Sequence, residues 1–163
     1  MRNLLAPICL LASVNSSAQE MPIHYGLTGT WFEPETAGQG LLVEVVPERS
    51  EFLASWFTFA GDQDGGTALL VSEQRWYFAQ GSYPSGATAV QLTLYQPLGG
   101  RFAVSPATQL PIVGEAELSF ADCDHGRLRY QFDNGLASGE IPLQRLVPDS
   151  LCDELQAVPS VRH

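Results

Sequence analysis

The chain has 163 residues, with no lysine, eight arginines against 18 acidic side chains, and a formal charge of −10. That balance repels nucleic acid and anionic membrane surfaces, so neither is an expected partner. Hydrophobic residues at 45% are enough to fill one core, and the length calls for no second domain.

The N-terminal stretch MRNLLAPICLLASVNSSA carries a lone Arg2, an apolar run from Leu4 to Val14 and small residues Ser16-Ser17-Ala18. This layout predicts a secretory leader over residues 1–18, cleaved after Ala18. The run is shorter than the roughly 20 apolar residues of a membrane-spanning helix, so no membrane insertion is expected. Bulky Ile8 in front of Cys9 speaks against lipid attachment. Removing 18 of the 163 residues leaves 145, with the charge at −11 once Arg2 is gone. The expected destination is periplasmic or extracellular, with one β domain over 19–163 that includes a C-terminal tail, 147–163.

Beyond the leader, short runs rich in Val, Leu, Phe, Trp and Tyr alternate with Gly, Pro, Asp and Ser clusters at intervals of roughly ten residues. Strands are predicted near 28–32, 40–46, 51–59, 67–71, 74–80, 88–96, 111–120, 127–132 and 137–146. The fold class is all-β: an antiparallel up-and-down meander closing into a barrel of about eight strands, with a two-sheet sandwich as the alternative. A short helix follows over Ser150 to Val158, with Ser150 as its N-cap and Asp153 three residues on. Cys123 and Cys152 are the pair left in an oxidising compartment once Cys9 departs. A disulfide between them closes a loop of about 30 residues, worth roughly 3–4 kcal/mol in chain entropy.

Neighbouring strand residues point to opposite faces, so each pattern assigns an inside and an outside. Pro47 to Ser50 turns the 40–59 hairpin, which brings Leu41, Val43, Val45, Phe52, Ala54 and Trp56 together as core and sends Phe57, Phe59, Leu42, Glu44 and Ser55 outward. Over 74–80, Trp76 and Phe78 share one face and Arg75 and Tyr77 the other. Val90, Leu92 and Leu94 point in; Gln91, Thr93 and Tyr95 point out. Ile112, Ala116, Leu118 and Phe120 are read as inward, with Glu115, Glu117 and Ser119 outward. Asn134-Gly135 reads as a two-residue hairpin turn that sets Phe132 opposite Ala137, Tyr130 opposite Gly139 and Leu128 opposite Ile141, and on the outer side Arg129 opposite Glu140. The C-terminal strands thus display a solvated charge ladder. The N-terminal ones display Phe57, Phe59, Tyr77 and Tyr95 among Gln, Thr, Ser and Arg.

Residues that could carry chemistry are sparse. Of the three histidines, His24, His125 and His163, none accompanies a nucleophile elbow. Asp122-Cys123-Asp124-His125 is read as a disulfide-braced polar turn and Asp62-Gln63-Asp64-Gly65 as a plain turn, so no metal and no cofactor are expected. Glu33, Glu35 and Glu44 lie near the aromatic face, but only separation in space decides whether two carboxylates form a hydrolytic pair.

Trp31-Phe32-x-Pro34 with Gly38-x-Gly40, then Trp56-Phe57-Thr58-Phe59, Trp76-Tyr77-x-Ala79-Gln80-Gly81, Leu92-Thr93-Leu94-Tyr95 and Phe120-x-Asp122-Cys123-x-x-Gly126 resemble a group of secreted bacterial β domains with tryptophan-rich hairpins. The likeness covers residues 29–146, departs over Gly65 to Gln74, and implies an exported β domain without supplying catalytic residues. Gly26-Leu27-Thr28-Gly29-Thr30-Trp31 also resembles the opening strand of the avidins, which implies barrel topology. The positions at which avidins hold biotin are occupied here by Glu33, Thr36 and Ala37, so biotin is not expected.

The resulting expectation is a non-catalytic binding module that recognises a carbohydrate or cell-envelope ligand through Trp31, Phe57, Tyr77 and Tyr95, with Arg75, Gln80 and Thr93 as polar contacts. A protein-binding or self-associating module on the same face is the second reading, and a small secreted hydrolase the third. The competing explanation of the outer rings is that a long loop or the tail covers them.

Overall fold

The structure, a computed structural model, describes residues 20–36, 38–59, 74–103, 108–133 and 137–157. Eight strands form a closed antiparallel barrel: β1 (Gly29–Phe32), β2 (Gly40–Val46), β3 (Glu51–Phe59), β4 (Gln74–Ser82), β5 (Ala89–Tyr95), β6 (Ile112–Phe120), β7 (His125–Phe132) and β8 (Ser138–Arg145). Each pairs with its sequence neighbour, and β8 returns to β1. The expected barrel therefore holds and the alternative, a sandwich, does not; closure removes the open edges that a sheet of this length would expose. The predicted strand over 67–71 lies outside the described residues, as do the leader, the Asp62–Gly65 turn, His163 and the Asn134-Gly135 turn.

Alternation explains the strands. Along β2, Leu41, Val43 and Val45 are buried while Leu42 and Glu44 are exposed, and along β3 Phe52, Ala54 and Trp56 are buried. The β2–β3 register pairs Leu41 with Trp56, Val43 with Ala54 and Val45 with Phe52, as the sequence pattern requires. The β7–β8 register likewise pairs Tyr130 with Gly139, Leu128 with Ile141 and Arg129 with Glu140. On the outside, Glu140 Oε2 lies 2.9 Å and Glu117 Oε1 3.2 Å from the Arg129 guanidinium. The Arg129 hydrogen bond holds the Glu140 carboxyl below its ordinary range.

One end of the barrel is sealed. Residues ahead of β1 cross it: the Met21 N–H donates to the Phe120 carbonyl and that of Ile23 to Ala87, both at 2.7 Å. A 3-10 turn at Tyr25–Leu27 follows. Trp31 is fully buried there, packs 4.8 Å from Phe120 and donates its indole N–H to the Leu27 carbonyl. The Arg145 guanidinium lies 4.6 Å above the Trp31 ring and donates to the carbonyls of Gly26, Thr28 and Cys123. Two of those carbonyls come from the entry segment just ahead of β1 and the third from the β6–β7 turn, so one side chain joins two segments remote in sequence to β8.

Cys123 and Cys152 form the expected disulfide, which ties the β6–β7 turn to α1 (Ser150–Ala157). The helix cap differs from expectation: the Asp149 carboxylate, one residue ahead of Ser150, accepts the Leu151 N–H at 2.9 Å. Ile112 also differs, being 59% exposed, because a register shift between Leu94 and Tyr95 moves the end of β6 out of the inward series.

Candidate ligand-binding face

The strand that rearranges the predicted site is β4. Its register with β3 sets Tyr77 opposite Trp56, Ala79 opposite Ala54 and Gly81 opposite Phe52. Tyr77 is thus inward, with its ring 5.5 Å from Trp56 and 5.0 Å from Phe132. Arg75 belongs to the same inward series at the rim of the barrel, opposite Thr58. Trp76 and Phe78, read from sequence as core, face out instead. The physical reason is space: Ala79 is buried in the core and a Cβ on Gly81 would run into the Gln91 carbonyl of β5, so the inward series of β4 is the one that holds these two small residues. They carry Tyr77 inward with them.

The seven predicted ligand residues therefore divide. Trp31 is sealed in the core and Tyr77 faces the lumen, which corrects both as surface platforms. Phe57, Tyr95, Gln80 and Thr93 share the outer face, where Trp76 and Phe78 join them. Across that face Phe57 stands opposite Trp76, Phe78 opposite Tyr95 with ring centroids 6.3 Å apart, Leu53 opposite Gln80, and Gln80 opposite Thr93. Phe57 is 44% and Trp76 46% exposed, so no described segment covers these two rings, and Phe59 and Leu42 extend the same exposed surface.

A groove of about 420 Å³ lies over the outside of the first strands, flanked by Tyr25 and Thr28 on the β1 side and Phe78 on β4, with Leu42, Glu44, Leu53 and Ser55 between. Its volume is in the range of small-ligand sites. Inside the barrel the situation is the reverse. Trp56, Tyr77, Tyr130 and Phe132 pack with centroid separations from 5.0 to 5.9 Å. The space beside Trp56 and Leu41 is about 10 Å³, no more than one water occupies. Among the described residues the lumen is a packed core, and the outer face offers the room.

The Asp122–His125 segment is a turn braced by the Asp122 side chain. Asp122 Oδ1 accepts the N–H groups of Asp124 and His125 at 2.8 Å and faces the His125 ring at 2.9 Å. Burial alone would raise the Asp122 carboxyl, but these bonds outweigh it and hold it below the ordinary carboxylate value. Among the described residues no three His, Cys, Asp or Glu side chains gather as a metal site.

Tyr25 and Arg145 had no place in the expected site. Tyr25 stands at the entry to β1, where no periodicity marks it, and the partners of Arg145 are distant in sequence. No family model, curated protein or solved structure matches the chain.

Proposed function

We propose that the chain is an exported, non-catalytic binding module that recognises a carbohydrate or similar cell-envelope ligand through the outer face of β2–β5. The observation that carries this reading is the continuous row of outward rings, Phe57, Trp76, Phe78 and Tyr95, bordered by Gln80 and Thr93. Exposed aromatic surface of this extent marks a contact site. Ring faces stack on the apolar faces of sugars while amide and hydroxyl side chains bond their hydroxyls. The opposite side of the barrel carries paired Arg and Glu and, among the described residues of β6–β8, no exposed ring, so the asymmetry belongs to the face and not to the fold. Export is supported by the leader pattern and by the Cys123–Cys152 bond. No helix among the described residues is long and apolar enough to cross a membrane.

The test uses the distribution of tryptophans. Trp31 and Trp56 are buried and Trp76 is exposed, so quenching by acrylamide reports on Trp76. A panel of neutral and charged oligosaccharides titrated against the mature chain is expected to include one that shifts emission and protects Trp76 from the quencher. Trp76→Ala should weaken its binding, measured by calorimetry, by about tenfold or more, equivalent to about 1.4 kcal/mol. A panel without any such ligand overturns the carbohydrate reading.

Aliphatic Leu42 and Ile112, 50% and 59% exposed, favour the second reading, a protein partner or a second copy on the same face. Sedimentation separates the two: a self-associating chain loses mass on Trp76→Ala, and a ligand-binding one does not.

A further inference from the structure

The groove flanked by Tyr25 and Phe78 holds a carboxylate with nothing opposite it. Glu44 is exposed on β2, paired across the ladder with Leu53, and forms no ion pair among the described residues. Glu51 pairs with Arg49, Glu117 with Arg129, and Glu140 with Arg127 and Arg129; Glu115 on β6, like Glu44, forms no ion pair among the described residues, but only Glu44 lies in the groove. Neither Arg nor His lines the groove. The Thr28 hydroxyl is already used, accepting the Val45 N–H at 3.0 Å. A negative charge thus shares the groove with aliphatic Leu42 and Leu53 and with the rings of Tyr25 and Phe78. Each part favours the same occupant. The rings attract a cation through their quadrupoles, the leucines accept an apolar body, and the carboxylate supplies a charge-assisted hydrogen bond. An anion would be repelled, and a neutral ligand would leave Glu44 unmatched.

We propose that this groove binds a protonated amine carried on a ring-sized framework. Where the adjoining ring platform binds sugar, on which this identification of the framework rests, the ligand is a sugar chain with free amines. Phe78 belongs to both the groove and the platform, so one ligand can engage both.

The experiment compares three probes by calorimetry: a glucosamine tetramer, its fully N-acetylated counterpart, and cyclohexylamine. The amine-bearing tetramer is expected to bind at least about tenfold more tightly than the acetylated one, to weaken with added salt, and to lose that advantage in Glu44→Gln. This substitution is on an exposed side chain and leaves the barrel intact, which circular dichroism checks. Because the chain has no lysine, carbodiimide coupling of the bound amine meets no competing side-chain amines, and the added mass should fall on the peptide containing Glu44. Equal binding of both tetramers, unchanged by Glu44→Gln, overturns the amine site and leaves the sugar platform standing. Binding of cyclohexylamine alone, lost in Glu44→Gln, supports the amine site and removes the sugar reading. Absence of binding by all three overturns the amine site.

Discussion

The Arg145 side chain ties the sealed end of the barrel together. Its three acceptors, the carbonyls of Gly26, Thr28 and Cys123, lie at 2.6 to 3.2 Å, and the guanidinium is buried over Trp31. Removing it leaves several buried carbonyls without donors, so Arg145→Met should cost about 3–4 kcal/mol of stability in urea unfolding. Arg145→Lys should recover little of it, since an ammonium lacks the planar fork that reaches three carbonyls at once. His24 sits beside this centre, accepting the Gly26 N–H on Nδ1, with Nε2 4.0 Å from Cys152 Sγ. Burial first, and the Arg145 charge second, hold its imidazole below the ordinary value of 6.5. The folded chain thus favours neutral His24, and the sign follows. Its stabilising effect is complete above the unfolded value of 6.5 and is lost as pH falls from there towards the lower folded value. His24→Asn keeps an acceptor for Gly26 but does not titrate. The loss in urea midpoint between about pH 8 and about pH 5 should therefore be smaller for the variant than for the native chain, and equal losses would exclude His24 as the cause. None of these contacts was legible in the sequence: Arg145 is one arginine among eight, and the three carbonyls it holds are all more than 20 positions away.

At the level of elements, short connections were legible and long ones were not. The Pro47 to Ser50 turn leaves one register for β2 and β3, and the few residues between β7 and β8 do the same for that pair, so the core faces of those four strands follow from alternation. No such turn constrains β4, because the chain between Phe59 and Gln74 is long. Ring size alone then suggested turning Trp76 inward, whereas Ala79 and Gly81, opposite Ala54 and Phe52, carry the information that sets Tyr77 inside. The closure of the barrel depends on its shortest ladder, where β1 meets β8 only at Trp31–Arg145 and Phe32–Gln144. The segment following β8 leads into α1, which the disulfide holds against the β6–β7 turn. Replacing both Cys123 and Cys152 with Ser should lower stability by about 3–4 kcal/mol on the chain-entropy account. It should also release α1 before the barrel unfolds, seen as proteolytic cleavage within 150–157 under conditions that leave the barrel whole. Cleavage and global unfolding that coincide would mean that α1 docks without needing the bond.

Over the whole molecule, the interior is apolar and filled while the outer face of β6–β8 carries paired arginines and glutamates. This is the inverse of a barrel that spans a membrane with an apolar exterior band. Within the described strands the exposed large apolar side chains are Leu42, Phe57, Phe59, Trp76 and Ile112, none of them on β7 or β8, and the Trp76-Tyr77 dipeptide connects interior and exterior. Its neighbouring rings point in opposite directions, Tyr77 into the cluster with Trp56 and Phe132 and Trp76 into solvent beside Phe57. Truncating each should therefore have opposite consequences. Tyr77→Ala opens a space inside the barrel that its neighbours only partly close, and should cost about 2–3 kcal/mol, less than a fully buried ring because Tyr77 is only partly enclosed. Its effect on ligand binding should be small under conditions where the variant remains folded. Trp76→Ala removes no core contact and should change stability by no more than about 0.5 kcal/mol, yet weaken ligand binding. Urea unfolding and calorimetric titration on the same two variants measure both quantities. If Tyr77→Ala is the variant that loses ligand at unchanged stability, the recognition surface lies in the mouth of the barrel and not on its outer wall.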